Sequence, residues 1–417
     1  MKRFQDVAGF LYFVPLFAAI TFISPMVSYS QDEIPDAVME IFEKKCSFSG
    51  CHAGASSGND LDLSEDVAFS ALVNQPSFDF SSLNLVEAGN PLKSYLIMKL
   101  VGTSGIKGEL MPTRDKPISK AELRTIASWI QSLPKGIVTP RKKRKSGHSF
   151  PGLTVGSLQT AQTVSKGTFS YRIAHRWLGR VDSGFDQFFG LDAGAHMLTE
   201  LSFAISNGFT FTLGRSGSNA TYEFYGKWQL FRETAHSTAS FSAALLGGVD
   251  WLALKQINDP NAPGQLLSRT NSERFAWYGQ LIVSKQLSRK VTILFSPGIL
   301  LNGNVAVANE DPIFTIGLAG KVQFGRRVSV FVEISPILSG LNTALPVGGA
   351  ATNNGQPTVY DAFTVGLEHS VGGHVFHVYI TNSLGLTPSQ VMSGGNLNAG
   401  NGEFRLGFNI YRALRTP

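Results

Sequence analysis

Long runs of strict apolar–polar alternation constrain the second two-thirds of this chain more than any other feature. Phe314, Ile316, Leu318, Val322 and Phe324 fall on one face of an extended run, and Thr315, Gly317, Ala319, Lys321 and Gln323 on the other. Tyr222, Phe224, Trp228 and Leu230 oppose Glu223, Tyr225, Lys227 and Gln229. Phe404, Leu406, Phe408 and Ile410 oppose Arg405, Gly407 and Asn409. A period of two means β-strands with one apolar and one polar face. About twelve such runs of ~7–15 residues lie between Gly167 and Leu414.

The connections narrow the architecture. Short turns (Ser206 to Gly208, Ala235 to Thr238, Leu287 to Lys290, Gly325 to Arg327, Gly372-Gly373) alternate with longer loops at 178–190, 255–272, 302–312, 339–358 and 384–401. One exception is the short Ser216 to Asn219. Outer-membrane barrels have short periplasmic turns, long outer loops and an even strand number, whereas a soluble sandwich or jelly roll has no reason to place its long loops at one end. The expectation is an antiparallel membrane barrel of about 12 strands, both termini facing the periplasm. Composition agrees. Charged residues are 16% of 417, with 43 Gly and 30 Phe, against roughly 25% charged in ordinary soluble domains.

If the apolar faces meet lipid, then Arg172, Arg176, Glu223, Lys227, Lys321, Glu333, Glu368, His377 and Arg405 point inward. They form either a polar channel or docking lumen, or charge pairs that fill a narrow closed barrel. Twelve strands give a backbone radius of roughly 12 Å, and a 100-residue domain has a radius of gyration of about 13 Å, so at most an edge or a loop of such a domain enters. His374 and His377 are three apart on a strand and therefore on opposite faces, a poor metal pair.

The N-terminal region differs in kind. Residues 1–30 read as a signal peptide: Lys2 and Arg3, an apolar run from Val7 to Ile23, then Ser28-Tyr29-Ser30. The alternative, an uncleaved anchor, is disfavoured by Pro15 and by a run shorter than the ~20 residues of a span. Residues 31–133 carry 9 Lys/Arg against 14 Asp/Glu, and residues 134–417 carry 25 against 15. Between these regions, 134–150 reads as a basic linker containing Arg141 to Lys145. The small domain reads as helical: Asp36 to Lys45, Ser94 to Val101, and a last helix opened by the capping box Ser119-Lys-Ala-Glu122 and striped by Leu123, Ile126, Ala127 and Ile130.

The two cysteines of the chain lie in Cys46-Ser-Phe-Ser-Gly-Cys51-His52. Two thiols with a histidine directly after the second are what covalent haem attachment requires: the thiols add to the vinyl groups and the histidine reaches the iron. The usual spacing has two residues between the cysteines; four stand here. A disulfide is the plain alternative in an oxidising compartment, and a zinc site would be a ligand short. Context favours haem: a helix ends at Cys46, Met111-Pro112 offers a thioether in a Gly/Pro-rich loop, and a capped helix follows.

Residues 34–133 resemble a monohaem c-type cytochrome domain, through Cys46 to His52, Leu61-Asp-Leu63, Asn90-Pro-Leu-Lys-Ser-Tyr-Leu96, Met111-Pro112 and the closing helix with Trp129-Ile130. The resemblance implies one haem c held by Cys46 and Cys51, with His52 and Met111 as axial iron ligands. Met98 is the rival ligand, but it sits on a helix beside Tyr95, Leu96 and Leu100, where packing suits it. Residues 150–417 resemble an uncharacterised β-barrel family found beside or fused to c-type cytochromes, through His175-Arg-Trp177, Phe189-Gly-Leu-Asp192, Gly214-Arg215 and Phe404 to Phe408. That resemblance brings no established activity.

The expected whole is a two-domain chain, a small all-α cytochrome c domain (31–133) followed by an all-β barrel (151–417). It would be an electron carrier in the outer membrane with its haem facing the periplasm. Its partners would be membrane lipid and a periplasmic redox protein, and nucleic acid is not expected. Alternatives are a cytochrome–porin fusion that conducts electrons to or from an extracellular donor such as iron, and a transport barrel with a structural or sensory haem. No nucleophile–base arrangement, phosphate loop or paired acid site marks an enzyme.

Overall fold

The computed structural model describes residues 34–47, 51–52, 61, 63, 68–113, 116–135, 150–164, 168–206, 208–233, 240–258, 265–288, 290–304, 311–324, 328–340, 344–348, 351–353, 356–371 and 374–415. The described residues from Pro35 onward belong to one compact unit. The expected signal peptide, and the expected linker apart from residues 134, 135 and 150, lie outside the described residues. No helix among the described residues is long and apolar enough to cross a membrane.

Twelve strands build the large sheet: β1 (Thr168–Trp177), β2 (Ala195–Ser206), β3 (Phe209–Ser216), β4 (Thr221–Phe231), β5 (Ser242–Leu252), β6 (Phe275–Gln286), β7 (Val291–Leu301), β8 (Ile313–Gln323), β9 (Val328–Ser335), β10 (Ala362–Val371), β11 (His374–Thr381) and β12 (Arg405–Arg415). Each pairs antiparallel with its sequence neighbours. The sheet then closes on itself, β1 against β12, from Thr168↔Arg415 to Arg176↔Gly407. Closure leaves no edge, so backbone N–H and C=O groups within the wall are paired without water. The even strand number puts Thr168 and Arg415 at one mouth, with the tight connections after β2, β6, β8 and β10. Long connections follow β1, β5, β7, β9 and β11, and the exception at 217–220 is as read from the sequence.

Side chains are sorted as alternation demands. Phe224, Trp228, Trp277, Phe295, Phe314, Leu318, Val332 and Leu367 are exposed on the outer face. All nine charged residues expected to point inward are at most 7% exposed. Gly407 shows how tightly that inner face is fitted, since a Cβ there would lie 2.0 Å from the Tyr379 ring.

Two segments fill the interior. Residues 150–164, which have no strand alternation, form a hairpin inside the barrel, closed by Val155 N–H to Leu158 O (2.9 Å) and Thr160 N–H to Leu153 O (2.9 Å). Phe150, Val155, Leu158 and Ala161 join one core with Tyr225, Tyr278, Phe331, Tyr379, Val391 and Met392. Part of the presumed outer loop 384–401 differs from expectation: residues 381–395 are all buried. Within them a one-turn helix (Pro388–Met392) carries a capping box from Thr387 and Gln390 and packs along β6, β7 and β8. Its polar composition reads as solvent-exposed, yet a polar lumen accepts the same residues.

The N-terminal helices are α1 (Asp36–Lys45), α2 (Ala68–Leu72), α3 (Tyr95–Val101) and α4 (Lys120–Ser132). α1 and α4 cross through Phe42 and Trp129, edge to face at 6.3 Å. Both bury a helical stripe, Val38, Met39, Ile41 and Phe42 on one and Ile126, Trp129 and Ile130 on the other. The capping box is complete, with Glu122 N–H to Ser119 Oγ at 3.2 Å and Ser119 N–H to Glu122 Oε2 at 2.7 Å. Lys45 adds a hydrogen bond to the same carboxylate at 3.0 Å. The Ser119 backbone N–H, the Ser119 hydroxyl contact and then Lys45 hold the Glu122 carboxyl down at about 2.

Two outcomes are expected. Leu318→Arg on the outer face of β8 should destabilise the lipid-inserted barrel by about 2–4 kcal/mol, and Phe324→Arg, just past the strand end, by about 0–1 kcal/mol; denaturant unfolding in vesicles measures both. Because folding depresses the Glu122 pKa, its contribution is full above the ordinary value of 4.5 and fades as pH falls through about 2. The helical far-ultraviolet signal of the wild type should therefore melt earlier across that window, and Glu122→Gln should flatten the dependence.

Candidate functional site

α1 delivers the first thiol. Cys46 follows its last residue, with its N–H on Phe42 O at 2.7 Å, and its side chain is buried. The N–H of His52 then returns to Cys46 O at 3.0 Å, which closes the loop and brings the histidine back beside the first cysteine. Cys51 is half-buried, and no disulfide joins it to Cys46. Residues 48–50 lie outside the described residues.

The imidazole of His52 is oriented from behind. Its Nδ1 lies 3.3 Å from Leu61 O, and Leu63 N–H reaches His52 O at 2.6 Å. A carbonyl can only accept, so Nδ1 carries the proton and Nε2 is the basic nitrogen. A backbone carbonyl on the far nitrogen is the usual support of a metal-ligating histidine. The Leu61-Asp-Leu63 segment thus has a defined task, while its leucines are buried.

Met111 is placed by a different element. Its N–H bonds to Lys99 O at 3.0 Å, at the end of α3. Lys99 Nζ in turn donates to Lys107 O at 2.9 Å and Glu109 O at 2.7 Å, which folds the loop back on the helix. Tyr95 Oη reaches Asp79 at 2.9 Å and accepts from Lys107 N–H at 3.2 Å. Met98 lies on α3 between buried Ile97 and Leu100, and its carbonyl accepts from Gly102 N–H.

The set suits a haem: two sulfur nucleophiles close in sequence, a basic imidazole nitrogen with its tautomer set, and a thioether on a separate loop. Among the described residues, no three His, Cys, Asp or Glu side chains group as a metal-holding cluster. His374 and His377 do take opposite faces: His377 is buried against Glu368 at 3.3 Å, while His374 stacks on Phe376 on the outer side.

The lumen is the other polar site. Arg172 pairs with Glu200 at 2.7 Å and Lys321 with Glu368 at 3.1 Å. Arg176 stacks over the Tyr379 ring, 4.5 Å from its centre, and donates to Ser157 Oγ at 2.9 Å. Other partners come from the two inserted segments. Glu333 accepts the backbone N–H groups of Gly156, Ser157 and Leu158 at 2.8, 2.8 and 2.9 Å. Asp250 accepts hydroxyls from Thr387 at 2.5 Å and from Ser389. Lys227 donates to Leu153 O at 3.2 Å and Arg405 to Asn396 Oδ1 at 2.9 Å. Sequence reasoning missed these partners because they lie up to 177 residues away.

Three solved structures share features with this chain. The KdgM porin is 8% identical, covering 60% of this chain and 99% of its own, with a TM-score of 0.34. The NanC porin is 6% identical (60% and 100% covered, TM-score 0.35). An outer membrane channel from Pseudomonas putida F1 is 12% identical (61% and 98% covered, TM-score 0.37). No curated protein matches the chain. Residues 150–414, more than half the chain and the whole of the closed sheet with its inserted hairpin, match the model of the membrane bound beta barrel domain (DUF5777), and the chain belongs to that family.

Proposed function

We propose that the protein is an outer-membrane-anchored c-type cytochrome that passes single electrons through one periplasm-facing haem c. The observation that supports the reading is the return of His52 N–H to Cys46 O, with His52 Nδ1 against Leu61 O, the backbone support usual for a metal-ligating histidine. The barrel supplies the membrane address. Haem c, when bound, supplies a reversible one-electron couple at its iron.

The chain's own residues do the rest. Cys46 and Cys51 tether the ring covalently, so it cannot dissociate. His52 and Met111 would hold the iron, and a haem held by two protein ligands favours electron transfer over chemistry on a bound molecule. Cys46 is buried at the α1 terminus and α1 is pinned to α4, so the first tether would be held on the helical core. The partner is then a periplasmic redox protein, and the chain is a carrier, not an enzyme.

A second reading, a transport barrel whose haem is structural or sensory, is favoured by the family match covering the barrel alone and by the charged inner wall. The third, an electron conduit through the lumen, is opposed by the two segments that fill it and by an apolar band ~25 Å tall that one haem does not bridge.

Full-length protein matured with the c-type haem machinery should carry one haem that resists acid–acetone extraction. Its reduced-minus-oxidised spectrum should show the methionine–iron band near the red end, and Met111→Ala should remove it. Cys46→Ala with Cys51→Ala should abolish covalent haem. A colourless wild type, or a double variant with unchanged covalent haem, would end the proposal. A Met111→Ala protein with altered haem but unchanged solute uptake would favour the second reading.

A further inference from the structure

We infer that the hairpin 150–164 is a removable stopper, and that the barrel conducts small hydrophilic ions when the hairpin leaves. The inference does not rest on the haem. It begins with how the hairpin enters. Val164 N–H bonds to Thr210 Oγ1 at 2.8 Å, Gln229 donates to Ala161 O at 3.0 Å, and Lys321 Nζ lies 5.0 Å from the centre of the Phe150 ring. Thr210, Gln229 and Lys321 all sit near the ends of β3, β4 and β8 at the mouth that holds Thr168 and Arg415. Both arms of the hairpin therefore stand at the mouth that also holds the chain termini of the barrel. The segment hangs into the lumen from one side, so it can be withdrawn without threading through the wall.

The tip reaches deep and is held by one acid. Gly156 and Ser157 form the turn. Glu333, sixth of the eight residues of β9, receives three consecutive backbone N–H groups there. Those donors form an anion cradle with the wall carboxylate as its guest. A Cβ on Gly156 would stand 2.6 Å from the Phe331 ring, so only glycine lets the tip seat this closely. Asn409 donates to Gly156 O at 2.6 Å and Arg176 to Ser157 Oγ at 2.9 Å. Glu333 is the one acidic group among these tip contacts.

The hairpin crosses the lumen. Its partners run from β3 and β4 on one wall to β9 and β12 on the other. The segment 381–395 is arranged differently. Its helix lies along β6, β7 and β8, and its neighbouring turns meet β5 and β1, so it reaches across the lumen from the mouth opposite the hairpin's arms and narrows the passage at that end. Without the hairpin the wall presents Arg172, Arg176, Lys227, Lys321 and Arg405 with Glu200, Glu223, Asp250, Glu333 and Glu368. That lining is balanced in sign and suits small ions of either charge over apolar solutes.

The test is single-channel recording of the full-length protein in planar bilayers, with folding checked by heat-modifiable gel mobility. Wild type should be closed. Glu333→Ala removes the latch and should raise open-channel events at least tenfold, and Glu333→Gln, which keeps an acceptor oxygen, should give an intermediate rise. Asp250→Asn disturbs a lumen carboxylate bonded to Thr387 and Ser389 and not to the hairpin, and should stay closed. Folded but silent Glu333→Ala, or folded but silent Glu333→Gln where the alanine variant does not fold, overturns the inference. A wild type as conductive as the variants, or an Asp250→Asn that opens equally, overturns it too.

Discussion

Closure of β1 onto β12 is the constraint on which the barrel depends. A sheet in lipid has no water to satisfy its edges, and each unpaired backbone group there costs several kcal/mol. The Thr168–Arg176 register against Gly407–Arg415 removes the edges. Once the sheet is a cylinder, alternation has only one solution: Phe, Leu, Val and Trp turn outward and charged residues turn inward. The protein is thus inside-out relative to a soluble domain, and the stability problem moves to its interior.

Charges placed inside a narrow cylinder need partners, because breaking a buried pair costs about 3–5 kcal/mol. Some are met strand to strand, as with Arg172 and Glu200. Others are met only by chain folded in from the mouths. The hairpin tip supplies N–H donors to Glu333, and the Thr387–Ser389 turn supplies hydroxyls to Asp250. A filled lumen follows from the charges themselves, which is why a membrane barrel with a charged inner wall need not stand open.

The helical region has its own logic. α1 ends where the first thiol must be presented, and α4 holds α1 through Phe42–Trp129 and Lys45–Glu122. The loop after α1 is shaped by backbone bonds from His52 to Cys46 and to Leu63, and its imidazole is steered by Leu61. Met111 is set apart from the Cys46–His52 stretch, its N–H on Lys99 O of α3.

By itself the sequence determined what depends on local period and spacing. Alternation in runs such as Phe314 to Phe324 marked the strands and their faces, loop lengths marked the two mouths, and Ser119–Glu122 marked the start of α4. Cys46, Cys51 and His52 stand close in the sequence, so their grouping is visible there. Tertiary structure alone decided what fills the barrel. Residues 150–164 have no period, and 381–395 have the Asn, Ser, Thr and Gly content of a surface loop. Such segments look solvated from the sequence because polar composition is matched either by water or by a polar lumen. Only closure of the wall, which brings Glu333 to Gly156 across 177 residues, selects the second.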